Sequence, residues 1–171
     1  MKIAIIGYSG CGKSTLAHDI AEHFQVNVLH LDSVHFLPNW NERETNDEQQ
    51  IVNDFMNNHE NWVIDGNYSK LSYERRMKEA DQIIMLLFNR FNCLYRVTRR
   101  YHKYKHTTRP DMAAGCNEKL DKEFITWVLW NGRKKKARSR YKKLQQQYPE
   151  KVIIIKNQKQ LDKFRRNTLK K

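Results

Sequence analysis

Only 3 prolines and 6 glycines interrupt these 171 residues, which excludes a collagen-like, linker-rich or low-complexity chain. Apolar runs are short as well. The longest, around Ile83 to Phe88, is strand length, well under the roughly 18 residues of a membrane-spanning helix. Three cysteines, Cys11, Cys93 and Cys116, are too few and too scattered for a disulfide framework or a zinc site, and fit reduced thiols in a cytoplasmic protein. At the start, a lone Lys2 and a brief apolar segment lead straight into a glycine-rich loop, unlike a secretory leader. With no internal repeat and no Gly/Ser/Pro-rich linker, residues 1–171 read as one domain.

Charge is abundant but unevenly placed. Met1 to Phe88 holds 7 Lys/Arg against 13 Asp/Glu, net −6, while Asn89 to Lys171 holds 25 against 6, net +19. A basic half of that size predicts attraction to polyanions: nucleotide phosphates, nucleic acid or an anionic surface.

Five segments rich in β-branched residues read as strands: Lys2 to Ile6, Val28 to Leu31, Trp62 to Asp65, Ile83 to Phe88 and Val152 to Lys156. Most are almost continuously apolar, as strands buried on both faces of a parallel sheet are, and helix-length intervals separate nearly all of them. The fold class is α/β. Leu16, Ile20 and Phe24 recur every four residues, and Ile51, Val52, Phe55 and Met56 mark a second buried stripe, preceded by a capping-box pattern at Thr45 and Glu48. Leu94, Val97 and Tyr101 share one face of a helix whose other positions carry Arg96, Arg99, Arg100 and Lys103. Between about Glu118 and Tyr148 a helical stretch is broken at Asn131-Gly132 and stopped by Pro149, which predicts two helices.

The chemistry is carried first by Gly7-Tyr8-Ser9-Gly10-Cys11-Gly12-Lys13-Ser14-Thr15, which satisfies the Walker A pattern at every fixed position between a buried strand and an amphipathic helix. In that context main-chain N–H groups and a helix N-terminus converge on one anion. ATP is therefore the expected ligand, cradled by Gly7 to Thr15, with Lys13 reaching the β- and γ-phosphates and the Ser14 hydroxyl on Mg²⁺. A thiol at that helix start, Cys11, is expected to ionise readily and to be shielded by nucleotide, or else to be merely small.

Two acids follow apolar strands at the edge that carries this loop. Asp65 is expected in the water shell of Mg²⁺ or in acceptor positioning, and Asp32 is expected to orient or deprotonate an acceptor hydroxyl. Both have a plainer reading as turn or cap residues. His30 and His35 flank Asp32 at a spacing that matches no closed zinc motif, and Trp40 suits either stacking on an acceptor base or closing the edge of the core. Arg90, Arg96, Arg99, Arg100 and Arg109, with Arg133 and Arg138 later, are candidates to clamp the transferring phosphoryl group from a mobile lid, Arg90 and Arg99 foremost, against the alternative of a solvated basic face.

These blocks, with His30-Leu31-Asp32-Ser33-Val34-His35-Phe36-Leu37-Pro38-Asn39-Trp40 and Ile64-Asp65-Gly66-Asn67-Tyr68, resemble bacterial DNA topology modulation proteins. Asn89-Arg90-Phe91, Thr108-Arg109-Pro110-Asp111-Met112-Ala113 and Lys156-Asn157 extend the resemblance over nearly the whole chain. That family is similar in turn to adenylate kinase and shikimate kinase. The resemblance implies a three-layer fold on a five-stranded parallel sheet of order 2-3-1-4-5, with a basic helical lid at about 90–148. The family name implies an influence on DNA supercoiling. Where adenylate kinases carry Asp-Gly-Phe-Pro-Arg, this chain reads Asp65-Gly66-Asn67-Tyr68-Ser69-Lys70, so the acceptor stays open between a nucleoside monophosphate, a nucleoside and another small hydroxyl compound. Two functional classes follow: a small-molecule kinase, and a nucleotide-regulated protein that binds nucleic acid through the basic C-terminal half.

Overall fold

A computed structural model describes residues 1–169. Its centre is a parallel sheet of five strands, β1 (Lys2–Gly7), β2 (Asn27–His30), β5 (Trp62–Asp65), β6 (Gln82–Leu86) and β7 (Val152–Ile155), in the spatial order β2-β5-β1-β6-β7. A two-stranded hairpin, β3 (Phe36–Leu37) and β4 (Asn41–Glu42), was not anticipated and shifts the numbering. Counted along the main sheet alone the order is 2-3-1-4-5.

The apolar runs explain the layers. Alternate residues of a strand face opposite sides, so Ile3, Ile5, Val63, Ile84 and Leu86 enter one core while Ala4, Ile6, Trp62, Ile64, Ile83 and Met85 enter the other. The first core is closed by α1 (Lys13–Phe24), α5 (Arg90–Tyr104), α6 (Lys122–Leu129) and α8 (Gln158–Thr168). The second is closed by α2 (Leu31–His35), α3 (Thr45–Asn58), α4 (Tyr73–Glu79) and α7 (Lys135–Gln147). No helix among the described residues is long and apolar enough to cross a membrane.

Several local expectations are corrected. The second strand stops at His30, and Leu31 opens a short helix instead; Leu31 is buried in either geometry, so its apolarity could not separate them. The Thr45/Glu48 capping box does not form. Glu48 N–H bonds Glu44 O at 3.1 Å, which places Glu44 at the N-cap, and the buried Glu48 carboxylate instead accepts from His35 Nδ1 at 2.5 Å. Phe24 is exposed, edge-on to His23, while Leu16 and Ile20 are fully buried. The stretch after Glu118 does split into two helices around a turn at Asn131–Arg133, but its first helix begins at Lys122 behind an Asp121 cap.

Between α5 and α6, residues 105–121 form a loop that lies on the β3–β4 hairpin. Cys116 Sγ meets Leu37 O at 3.2 Å and Trp40 Nε1 donates to Asn117 O at 3.0 Å. Trp40 therefore closes the fold here, with Phe36 edge-on at 5.1 Å and the Lys119 ammonium over its ring.

Gly7 is the point at which β1 can become a loop. Its φ of +143° lies outside the range of ordinary side chains, and a Cβ there would stand 2.2 Å from Leu86 O of the neighbouring strand. Gly7→Ala should lower the unfolding free energy by about 2 kcal/mol or more, read as an earlier urea midpoint; an unchanged midpoint would contradict the described backbone.

Candidate active site

Helix α1, like α2, α3, α4 and α7, has no side-chain cap, in contrast to the three helices that share its core. Helices α5, α6 and α8 each start with a side chain, Asn89, Asp121 or Asn157, that accepts from a first-turn N–H. Helix α1 starts at Gly12, φ +89°, with no side-chain cap. The N–H groups of its first turn have no intrahelical partner either, so the positive end of the helix dipole opens on the mouth of the loop. A residue with a side chain at position 12 would also place its Cβ 2.8 Å from Arg96 Nη1. This is a cradle shaped for an anion.

The loop is held from several sides. Tyr8 N–H continues the sheet to Leu86 O at 3.1 Å. Asn67, just past β5, accepts from Gly7 N at 3.1 Å, donates to Gly7 O at 2.5 Å and donates to Tyr141 OH at 3.0 Å. Arg96 Nη1 donates to Cys11 O at 3.1 Å from α5. Trp127 Nε1 donates to Ser9 Oγ at 3.1 Å from α6. Lys13 Nζ donates to Tyr8 O at 3.2 Å, directly over the loop, and Thr15 in the first turn of α1 is exposed.

Strand register brings the two acids into relation with this loop. His30 lies opposite Asp65 in the β2–β5 pair, as Ile5 does in the β1–β5 pair. The Asp65 carboxylate then holds two groups: Oδ2 accepts from Ser14 Oγ at 3.0 Å and Oδ1 pairs with His30 Nδ1 at 2.5 Å. Burial alone would push the His30 imidazolium down, but the bond and charge of Asp65, helped by Asp111 and Asp32, hold its pKa above the ordinary histidine value. Asp32 sits in the first turn of α2, where Oδ1 accepts from Tyr68 OH at 2.8 Å. Burial, then the Asp32 carboxylate, keeps that phenol protonated far above its usual range. Among the described residues no cluster of three His, Cys, Asp or Glu side chains has metal-binding geometry. A hydroxyl beside one carboxylate is a hard-oxygen pair, suited to Mg²⁺ whose remaining ligands are phosphate oxygens and water.

The arginines separate into distinct groups. Arg133 is buried, donating to Val128 O, Phe88 O and Cys93 Sγ with its guanidinium 3.8 Å from the Tyr8 ring centroid. It lines an open cleft of about 350 Å³ together with Tyr8, Asn89, Arg90, Phe91 and Arg138. Arg90 thus faces the loop region. Arg99 is exposed on α5, 5.8 Å over the Tyr95 ring, with no recorded contact to the loop. Arg100 and Arg109 are engaged within the protein, both paired to the buried Glu118 and Arg109 also to Asp111. Arg140 was not singled out from sequence, yet its Nη1 donates to Asn67 O at 3.1 Å. Nothing in its local sequence marks it out.

Of the Cys11 expectation, shielding by nucleotide is corrected and the lowered pKa is kept. Its thiol turns into the core, fully buried and 3.5 Å from Cys93 Sγ. Burial pushes it up, but the Cys93 contact, Lys13 and Arg133 outweigh this and hold its pKa below the ordinary thiol value. What shields it is protein, so nucleotide is not required for protection. The sequence reading also missed Asn67 and Trp127, since neither belongs to the loop motif and both reach it only through tertiary contact.

A family profile described as an AAA domain, AAA_18, matches residues 3–125. Among solved structures, shikimate kinase from Acinetobacter baumannii in complex with shikimate is similar at TM-score 0.56 and 18% identity, over 99% of this chain and 95% of that one. TT1252 from Thermus thermophilus is similar at TM-score 0.56 and 12% identity, over 99% and 96%. At these identities the likeness is one of fold. No curated protein matches the sequence.

The Trp127–Ser9 contact supplies a reporter. Mg·ATP should change the tryptophan emission of the native chain by roughly a tenth or more, because ligand at the loop alters the indole's polar surroundings, and Trp127→Phe should abolish most of that change. An equal response from the variant would place the ligand elsewhere.

Proposed function

We propose, on the premise that the chain belongs to the AAA_18 family of AAA domains, that it is a cytoplasmic phosphotransferase moving the γ-phosphoryl group of ATP to the hydroxyl of a small acceptor. The observation that carries this reading is the 3.0 Å contact of Ser14 Oγ with Asp65 Oδ2 beside an uncapped helix N-terminus. It places a hydroxyl and a carboxylate together at the mouth of a phosphate-shaped loop, the pairing a phosphoryl-transfer site uses for Mg²⁺.

Within the loop of residues 7–15, the N–H groups of Gly7, Tyr8 and Cys11 hold the loop's shape through Asn67, Leu86 O and Tyr8 O, those of Ser9, Gly10 and Gly12 to Thr15 grip the triphosphate, and Lys13 supplies a point charge for the β- and γ-phosphates. Mg²⁺ would be held by Ser14 and, through water, by Asp65, and supplies neutralisation of phosphoryl charge. His30 orients the Asp65 carboxylate and leaves its other oxygen to Ser14. Asp32, fixed by Tyr68, accepts the acceptor's proton as the hydroxyl oxygen attacks. Arg90 and Arg138 line the cleft beside Tyr8, where their guanidinium groups stabilise charge on the equatorial oxygens. Arg133 is committed to Val128 O, Phe88 O and Cys93 Sγ and shapes the cleft wall, and Arg99 is exposed on α5.

A second reading has its own observation. Phe91 is 72% and Tyr95 63% exposed, one helical turn apart on α5 with Arg99 one turn further. Exposed rings beside arginines form a stacking surface for single-stranded nucleic acid, in keeping with the resemblance to DNA topology modulation proteins.

Lys13→Ala and Asp65→Asn should each reduce acceptor-dependent ADP release at least about 100-fold while the chain stays folded by circular dichroism. Retention of full turnover by both would end the phosphotransferase reading. For the second reading, Phe91→Ala with Tyr95→Ala should weaken binding of a labelled single-stranded oligonucleotide about 10-fold or more at low salt; an unaltered isotherm, or no salt dependence in the native chain, would remove it.

A further inference from the structure

We propose that Cys11 and Cys93 form a redox modification site, which a peroxide joins in a reversible internal disulfide that draws the phosphate loop out of shape and weakens its hold on Mg·ATP. The effect on nucleotide rests on the phosphotransferase reading, in which residues 7–15 cradle a triphosphate; the covalent step does not. Transient disulfides of this kind act as redox sensors where thiols are otherwise kept reduced.

The two sulfurs are already neighbours, 3.5 Å apart, and both residues are fully buried. They come from different elements, since Cys11 lies in the loop before α1 and Cys93 near the start of α5. The two backbones also meet closely. A Cβ added at Gly10 would stand 2.8 Å from Cys93 O and 2.7 Å from Val97 Cγ1. A bond between the sulfurs therefore crosses no gap and needs only that they close from 3.5 Å to about 2 Å. Gly10 and Gly12, at φ +79° and +89°, flank Cys11, so the residue that turns its thiol inward sits between the two most able to reorient. The third cysteine is placed otherwise, with Cys116 Sγ against Leu37 O of the hairpin. Closing the pair moves the frame of the loop. Cys11 N–H donates to Tyr8 O at 3.3 Å and Cys11 O accepts from Arg96 Nη1 at 3.1 Å, and the N–H groups of Gly12 to Thr15 follow directly in the chain. Misplacement by about 1 Å is enough to spoil a pre-shaped site.

The surroundings divide the roles of the two thiols. Burial raises Cys11, but the Cys93 contact and the charges of Lys13 and Arg133 outweigh it and bring the thiol to about 7, whereas the bond to Cys11 and burial hold Cys93 up. Cys11 is thus the nucleophile and Cys93 the resolving thiol. The Cys11 thiolate attacks one oxygen of hydrogen peroxide, the O–O bond breaks, and hydroxide leaves with the electron pair and takes up the proton that Cys11 released. Cys93 sulfur then attacks the sulfur of the resulting sulfenic acid, the S–O bond breaks, and the leaving hydroxide departs with the Cys93 proton as water. The thiols are oxidised by two electrons and the peroxide is reduced to water. Arg133 Nη2 donates to Cys93 Sγ at 3.1 Å, which favours the ionised form of that sulfur once Cys11 has lost its charge. Arg133 also marks the way in. It lines the open cleft beside Tyr8, so the sulfur pair lies one hydrogen bond behind that cleft, and a molecule of the size of peroxide reaches it when the contact opens.

The test uses the full chain, first reduced and then treated with hydrogen peroxide. Mass spectrometry after blocking free thiols under denaturing conditions should show a loss of about 2 Da, with peptide mapping placing the new bond between Cys11 and Cys93 and the block on Cys116. By calorimetry the oxidised chain should bind Mg·ATP about 10-fold or more weakly than the reduced chain, and dithiothreitol should restore both the thiols and the affinity. Cys93→Ala should bind Mg·ATP as the reduced native chain does, form no internal bond, and carry after peroxide an added oxygen on Cys11 that a sulfenic-acid reagent captures; Cys93→Ser takes its place if the alanine variant does not fold. Thiols that all stay free under peroxide, or a bond between two chains in place of the internal one, would overturn the proposal. An internal Cys11–Cys93 bond that leaves the affinity for Mg·ATP unchanged would overturn it as well. Failure of the reduced chain to bind Mg·ATP would overturn the phosphotransferase reading and the effect on nucleotide with it, and is told apart from failure of the covalent step by the mass measurement.

Discussion

The Asp65 carboxylate is the hinge on which the site depends, because it joins two strands' worth of chemistry that no local sequence could join. Parallel pairing sets His30 opposite it and Ile5 beside it, and the loop after Ile5 and Ile6 then returns Ser14 to its second oxygen at 3.0 Å. A carboxylate only 4% exposed is costly to bury alone. Two donors, Ser14 Oγ and His30 Nδ1, offset that cost, and one of them is the hydroxyl at the mouth of the loop.

Asn67 repeats the logic one turn later. Its side-chain amide closes on both backbone groups of Gly7, so the chain after β5 and the chain after β1 are laced together. Since the phosphate loop begins at Gly7, its geometry is set partly by a residue 60 positions away. The segment between α5 and α6 is built differently. It is closed on itself by Glu118, shared between Arg100 and Arg109, and docks on the hairpin through Trp40 and Cys116. Two arginines that look like clamps in one dimension are thus structural in three, while Arg133 and Arg138 face the cleft beside Tyr8.

Charge asymmetry acquires a spatial meaning on the same grounds. The acidic half supplies the carboxylates that surround Asp32 and Tyr68, and the basic half supplies the guanidinium groups beside the phosphate loop.

The sequence alone determined what repeats at short range. Apolar runs in Trp62 to Asp65 and Ile83 to Phe88 specified buried parallel strands because burial on both faces leaves no polar alternation, and the glycines and Lys13-Ser14 specified an anion loop because its backbone geometry is local. Only the tertiary structure decided what depends on long-range pairing. Glu48 reads as a helix-capping residue until His35 is found against it, Cys11 reads as a thiol covered by nucleotide or as a merely small residue until α5 brings Cys93 to 3.5 Å, and Asn67, Trp127 and Arg140 carry no local signature for their contacts. A side chain's type limits the bonds it can make, but the partner is chosen by which strands lie side by side, and that order is a property of the packed sheet.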